Sequence, residues 1–380
     1  MALARELSAS GVCVHLSLQR SRPENRTRFA DSIHPYESRA DAPRVWEDLL
    51  LGSKRPFLGA AVFPCDDDAV EFLAERHGEV AALYALDHVQ PIHLDAFLSK
   101  SKTAAISENT GVRLPLTWPI DGASTAERAF ASGAAAVLLK PVHSHRFQVA
   151  FGGGGRKHFL AHNVEEFREM AERLAKEGID AIATELIPGP DSASVTYYTH
   201  RAADGTVHFE FTKQVLRRFP RNEGPGSLHV VRWDEEIAIE ARKLLDATGF
   251  TGYANIEFKR DERGGLPVMI ELNPRFTASQ ELLVQCGIPA GRIVLDSALG
   301  RRVEPLGSHV QGIKLWDPAR DLRAFGELRR LEGLGFMSWL RSIRGPKAFL
   351  LFRWSDPRPT LSRLASIGRK VIARPFQRGT

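Results

Sequence analysis

The sequence predicts an α/β protein with α+β character, and three patterns carry that expectation. Short apolar runs alternate with amphipathic stretches over residues 1–95, which is the order of a parallel, Rossmann-like unit. Residues 207–219 alternate polar and apolar, as a half-buried strand does. Two further apolar segments, 254–259 and 268–275, flank Asp261-Glu-Arg-Gly-Gly265, a turn sequence that joins them into a hairpin. With 380 residues the chain can build two or three compact units. The boundaries expected are 1–95 for the first unit, 96–300 for a central unit of two lobes hinged near 184–191, and 301–380 for a basic extension.

Composition narrows the class. Hydrophobic residues make up 43% and charged residues 26% of the chain, the balance of a soluble globular protein. No uninterrupted apolar run of about 18 residues occurs, so a membrane-spanning helix is not expected. The first residues lack the basic and apolar regions of a secretory signal, and the expected location is the cytoplasm. Cys13, Cys65 and Cys286 are widely spaced, which argues against zinc and disulfides and predicts buried free thiols. The net charge of +5 is uneven. From Arg320 to Thr380 fourteen lysines and arginines face four acids, so the basic character belongs to the tail.

Taken in order, residues 12–18 and 57–63 read as strands, and 42–51 and 69–77 as helices. Residues 97–111 read as a helix stopped by Gly111, followed by a strand over 112–117. Ala134-Ala-Ala-Val-Leu-Leu-Lys140-Pro141 is a buried strand ending in a lysine. Gly152–Gly155 is neither a Walker loop nor a dinucleotide fingerprint, but glycine backbone can approach an anion closely. Asn163, with Glu166 three residues on, is placed to cap a helix running to Gly178. Lys213 and Arg217 share a strand face, and a helix over 234–248 stops at Gly249. In the tail, Leu361, Leu364, Ile367 and Val371 recur at helical spacing among arginines, a basic amphipathic helix. Such a segment fits either packing against the core or contact with an anionic membrane surface or a lipid-linked substrate.

The hairpin carries the chemistry. Glu271 and Asn273 lie two apart and face one side, and Glu257 on the neighbouring strand brings a third oxygen donor. Hard oxygen donors followed by Arg275 suit Mg²⁺ held against phosphate oxygens. The pattern Glu257…Glu271-Leu-Asn273-Pro-Arg275 resembles the metal-binding signature of ATP-grasp enzymes. These are the carboxylate–amine and carboxylate–thiol ligases related to D-alanine–D-alanine ligase, biotin carboxylase and carbamoyl phosphate synthetase. The resemblance spans roughly residues 95–300. Residues 256–261 and the segment after Ile313 look most like the bacterial carboxylate–amine ligases that include D-aspartate ligase.

That resemblance implies an ATP-grasp fold with an abbreviated Rossmann-like domain in front. The strand and glycine turn expected before residues 2–11 are absent, and a start further upstream is the preferred explanation. ATP and Mg²⁺ (or Mn²⁺) are the implied cofactors, the metal held by Glu257, Glu271 and Asn273. Lys102 and Lys140 would bind the nucleotide, although Ser101 stands where the family has an aspartate. Residues 147–157 would form a flap, with Lys157 or Arg146 over the triphosphate. Backbone near Glu185, Leu186 and Ile187 would meet the adenine, and Asp191 the ribose. Lys213 and Arg217 would line the phosphate channel, and Arg275 would stabilise the transferred phosphoryl group. The implied reaction joins a small-molecule carboxylate to an amine through an acyl phosphate, releasing ADP and phosphate, and relatives are commonly dimers. A non-catalytic nucleotide-binding scaffold and an ATP-grasp kinase remain as alternatives. Nucleic acid is not expected as a partner, because no recognition module accompanies the basic tail.

Overall fold

A computed structural model describes residues 1–121, 123–141, 147, 150–151, 158–222 and 224–373. Its centre is a seven-stranded sheet in the spatial order Pro267–Asn273, Gly252–Arg260, Ser194–Arg201, Val207–Arg218, Gly226–Val231, Lys314–Trp316 and Lys347–Phe349. All neighbours are antiparallel except the last pair, which is parallel.

Each face of this sheet is covered by a different part of the chain. The helix Glu235–Thr248 starts where the Asp234 carboxylate accepts the Ile237 N–H at 3.2 Å, a side-chain cap. It ends at Gly249, whose φ of 61° is the left-handed stop that glycine adopts without strain. Its buried residues Ile237, Ala238, Ala241, Leu244 and Leu245 repeat at helical spacing and join Val195, Tyr197, Ile256 and Phe258 of the sheet in one core. Tyr36, Trp46, Val70 and Leu73 of the first unit complete that core. The other face, with Tyr198, Phe211 and Tyr253, packs on Leu282, Leu283, Ile293 and Val294 from the helices Gln280–Gln285 and Ala290–Ala298.

A smaller sheet carries Thr117–Pro119, Ala181–Glu185, Val137–Pro141 and Phe159–Ala161 in spatial order, all antiparallel. The helices Ala123–Ala131 and Val164–Lys176 close its core, which includes Leu139, Phe159, Phe167 and Ala183. Asn163 caps the second helix as expected, accepting the Glu166 N–H at 2.8 Å. The Glu166 carboxylate reaches back to the His162 N–H at 2.8 Å.

Several expectations change at the local level. The first unit holds two separate parallel pairs, His15–Gln19 with Ser32–Tyr36 and Ala61–Val62 with Ala85–Leu86, rather than one continuous sheet. The strand expected over 57–63 shrinks to Ala61–Val62, because Gly59 turns the chain at a φ of 80° and leaves Leu58 exposed. The helix expected over 97–111 is two helices, Pro91–Leu98 and Lys100–Ser107, broken at the extended residue Ser99. The strand after it is confined to Thr117–Pro119. Cys286 is buried, but Cys13 and Cys65 are exposed.

The C-terminal segment is built into the fold. Two of its strands extend the large sheet, and two of its carboxylates are buried anchors. Asp321 accepts from Arg217 at 2.8 and 2.9 Å, from Ser227 at 2.9 Å and from Trp339 at 2.9 Å. Asp356 accepts from Arg5 at 3.0 Å and from Thr27 at 2.8 Å. The helix Arg358–Ala373 follows. Among the described residues no helix is long and apolar enough to cross a membrane.

Candidate active site

Strand register assembles the site. Glu257 lies directly opposite Glu271, and Asn255 opposite Asn273. Directly paired residues point to the same face of a sheet, so these four side chains share one face. The next strands continue the row, because Thr196 pairs with both Glu257 and Lys213. One line across four strands therefore reads Glu271, Glu257, Thr196, Lys213. At a spacing of about 4.8 Å per strand, Lys213 stands roughly 10 Å from Glu257.

Two facing carboxylates repel each other across a ladder unless a cation lies between them. Glu257 and Glu271 are half-buried, whereas Asn255 and Asn273 are buried. Asn273 Nδ2 donates to Asn255 Oδ1 at 3.3 Å, while Arg275 Nη2 donates to Asn273 Oδ1 at 2.9 Å. The buried Asn255 Nδ2 has no partner. Among the described residues no group of three His, Cys, Asp or Glu side chains is placed to hold a metal ion. A metal here would draw on two carboxylates and amide oxygens, the hard donors that suit Mg²⁺ or Mn²⁺.

Arg275 is anchored by Asp67 of the first unit, to which its Nε donates at 2.7 Å. Burial alone would pull the guanidinium pKa down; the nearby carboxylates of Asp67, Glu271 and Asp66 outweigh it and raise the pKa. Asp67 was not singled out from the sequence. Nothing local marks it, since it lies 208 residues from Arg275.

Lys213 is 5% exposed, yet among the described residues no carboxylate comes within ion-pair distance of it. Its Nζ donates to Ser279 Oγ at 2.7 Å, approaches His229 Nδ1 at 3.5 Å and lies 5.6 Å from the Tyr198 ring centre. Burial, then Lys213, Arg218 and Arg320, hold the His229 pKa well below its ordinary value. His229 is therefore neutral and adds no second charge. A buried ammonium with only neutral partners is prepared for an anion. Tyr198, Ser279 and His229 were absent from the sequence-derived set, because they come from two neighbouring strands and the loop beyond Arg275.

Arg217 departs from its expected place. A register shift between Val215 and Arg217 interrupts the alternation, and the guanidinium is spent on Asp321 and Ser342 Oγ. It is a buried structural contact rather than part of a phosphate channel. Lys102 is exposed and forks onto Asp95 at 2.6 and 2.7 Å. Lys140 is half-buried at the end of Val137–Pro141. Lys157, Arg146 and the four glycines lie outside the described residues.

At the hinge, the Glu185 N–H is bound by Leu116 O at 2.8 Å and the Leu186 N–H by Ala136 O at 3.0 Å. Those two amides are committed to the fold, and Ile187 follows, 3% exposed. The Glu185 side chain accepts from Arg263, which also holds Asp261 at 2.7 Å. Asp191 pairs with Arg218 at 3.2 Å and accepts the Asn222 N–H at 3.0 Å. Burial raises its pKa, against the pull of Arg218.

The fold is shared with solved proteins. A biotin carboxylase from Campylobacter jejuni superposes with a TM-score of 0.62 over 82% of this chain and 71% of its own, at 16% identity. An L-amino acid ligase from Bacillus licheniformis gives 0.57 over 78% and 70%, at 18% identity. A family profile described as ATP-grasp in the biosynthetic pathway with Ter operon matches residues 209–316, the segment that holds Lys213, Glu257, Glu271 and Arg275. The chain has the ATP-grasp fold, and residues 209–316 match an ATP-grasp family profile. Among curated proteins, the chain is 22% identical to a D-aspartate ligase of Enterococcus faecium over 266 residues, 67% of this chain and 62% of that enzyme. It is 27% identical to a carbamoyl phosphate synthase large chain of Thermotoga neapolitana over 197 residues, 49% of this chain and 17% of that one. It thus spans about three-fifths of the ligase and a much smaller part of the synthase.

Proposed function

We propose that this ATP-grasp protein is an ATP-dependent carboxylate–amine ligase acting on small molecules. The observation that carries the proposal is the row Glu271–Glu257–Thr196–Lys213, with Arg275 at its edge. It sets two facing carboxylates and a buried ammonium, which among the described residues has no acid in ion-pair distance, on one sheet face. The similarity to D-aspartate ligase supports the same reaction class. A neighbour at a TM-score of 0.62, the biotin carboxylase domain of a Hydrogenobacter thermophilus 2-oxoglutarate carboxylase, was solved as a dimer with MgADP and bicarbonate. That complex supports MgATP as the cofactor, and a dimer is the assembly to test.

A carboxylate resists amines in water because its oxygen leaves poorly. Moving the γ-phosphoryl group onto it gives an acyl phosphate that an amine can attack, expelling phosphate and forming the amide. Such transfer needs positioning and charge stabilisation more than a protein nucleophile. Mg²⁺, held by Glu257, Glu271 and the Asn273 amide oxygen, would neutralise charge on the phosphates. Arg275 is fixed by Asp67 and Asn273 at the edge of that pair and would take the charge that builds on the transferred group. Lys213 would hold a carboxylate or phosphate oxygen, with Ser279 orienting its ammonium. Lys140 and the Ile187 backbone are the proposed nucleotide contacts from the small sheet and hinge.

The test is release of ADP and phosphate with MgATP against panels of carboxylates and amines. Turnover that needs one acid and one amine together, and is lost in Glu271→Gln, establishes the ligase. Turnover with a hydroxyl compound alone makes the protein a kinase. Nucleotide binding without turnover across the panels supports a scaffold.

A further inference from the structure

The four acids between Arg320 and Thr380 do not neutralise the cations of that stretch. Asp321 faces Arg217 and Asp356 faces Arg5. Glu327 accepts the Arg221 N–H at 2.9 Å, and Glu332 pairs with the Arg221 side chain at 2.6 Å. Every one of these partners lies before residue 301. Among the described residues, Arg323, Arg329, Arg330, Arg341, Arg344 and Arg358 are exposed with no acid in ion-pair distance. The surface is therefore more cationic than the composition alone indicates.

The last helix adds an apolar face turned away from the protein. In Arg358–Ala373, Arg363 points inward to Asp317 at 3.3 Å. Leu361 is 60% and Leu364 57% exposed, with Ala365 beside them. A surface helix of a free-standing protein turns its apolar stripe to the core; this one presents it to solvent. Trp354, just before the helix, is 88% exposed, and an exposed indole is suited to the boundary between headgroups and acyl chains.

We propose that the helix Arg358–Ala373, with Trp354 and the exposed arginines of the same C-terminal segment, seats this protein on the surface of an anionic phospholipid bilayer. Leucines entering the acyl boundary and arginines meeting lipid phosphates are the two attractions of an interfacial helix. Phosphate backbones of nucleic acid would satisfy the arginines but leave Leu361, Leu364 and Trp354 in water. The proposal stands apart from the ligase reading, since it uses none of the residues of the sheet-face site.

Its test is co-sedimentation of the full chain with vesicles of about one-third phosphatidylglycerol in phosphatidylcholine, and with phosphatidylcholine alone. The anionic vesicles should carry the protein down and the neutral ones should not. Combined Leu361→Ser and Leu364→Ser keeps every charge and should lower partitioning at least about tenfold. Arg358→Glu should lower it by roughly tenfold and make its loss with salt shallower. Both leucines are exposed, so thermal unfolding of the double variant should match the parent, and a shifted transition would be replaced by Leu361→Gln alone. Absence of binding to the anionic vesicles overturns the proposal. So does binding that the leucine changes leave intact, or equal affinity for duplex DNA in a gel-shift experiment.

Discussion

Lys213 and the Glu257–Glu271 pair make opposite demands on their surroundings, and variants should separate them. Glu271→Gln removes the like-charge repulsion across the ladder and one metal oxygen. It should leave the fold intact or slightly more stable, yet cut ATP turnover by about a hundredfold or more, as loss of a transition-state charge contact does. Rates with MgATP and a urea titration of the same variant check both halves. Lys213→Met removes a buried charge that, among the described residues, contacts Ser279, His229 and Tyr198 and no acid. Unfolding should therefore shift little while KM for the acid rises, and Lys213→Arg should fail to rescue because the niche is shaped for an ammonium. A KM unchanged in Lys213→Met removes Lys213 from the site. At the hinge, Arg263 hydrogen-bonds Asp261 and lowers its pKa to about 2. Because the folded value is depressed, this contribution to stability is complete above the unfolded value near pH 4. It is lost as pH falls toward about 2. Asp261→Asn should flatten the acid limb of the unfolding-midpoint profile between those values, and an unaltered limb would contradict the linkage.

The elements show why some of this was readable in the chain and some was not. The hairpin was legible because period two and a Gly-Gly turn are local, and the observed register pairs Glu257 with Glu271 directly. The Glu235–Thr248 helix was legible from its cap and its glycine stop. Local pattern misled at residues 57–63, where an apolar run passes through Gly59 at a positive φ and becomes a turn. It misled at Ser99 as well, where two short helices meet. Arg217 looked like a site residue because strand alternation assigns a face, but a register shift and a carboxylate 104 residues away decide where its guanidinium goes. Asn255 is the residue that sequence reasoning should have found, two before Glu257 on the same strand face. The Arg217–Asp321 pair predicts a large effect at this scale. Asp321→Ala strands a buried guanidinium and should cost about 3–5 kcal/mol, seen as a lower denaturant midpoint. A change below about 1 kcal/mol would mean that Ser342 and water satisfy Arg217 unaided.

At the scale of the whole molecule, the first helix and the last segment are tied together through the core of the site-bearing half. Arg5 is 1% exposed; its Nε donates to Asp356 Oδ2 at 3.0 Å and its Nη2 to Leu351 O at 2.9 Å. Its other terminal nitrogen stands 3.9 Å from Glu281. Next to it, Glu6 accepts from Gln280 at 2.8 Å and from the Arg292 N–H at 2.9 Å. Gln280 and Glu281 directly follow Ser279, the partner of Lys213. The helix Ala2–Ala9 thus grips this short segment through Glu6 and Arg5, Asp356 holds Arg5 in place, and the segment carries Ser279, the partner of the Lys213 ammonium. Breaking one side should be felt in both stability and catalysis. Asp356→Ala leaves Arg5 buried without its carboxylate and should destabilise by about 3–5 kcal/mol. Because Arg5 can then turn toward Glu281, the lost order should also raise KM for the acid. The paired replacement Arg5→Met with Asp356→Leu removes both charges and should recover most of the stability, since a buried ion pair is worth little against well-packed apolar groups. KM separates the two consequences. If the double variant regains both stability and KM, the grip acts through packing alone; if it regains stability but not KM, the ion pair itself sets the position of Ser279. An Asp356→Ala variant with parental stability and parental KM would show that the two ends of the chain do not meet through Arg5.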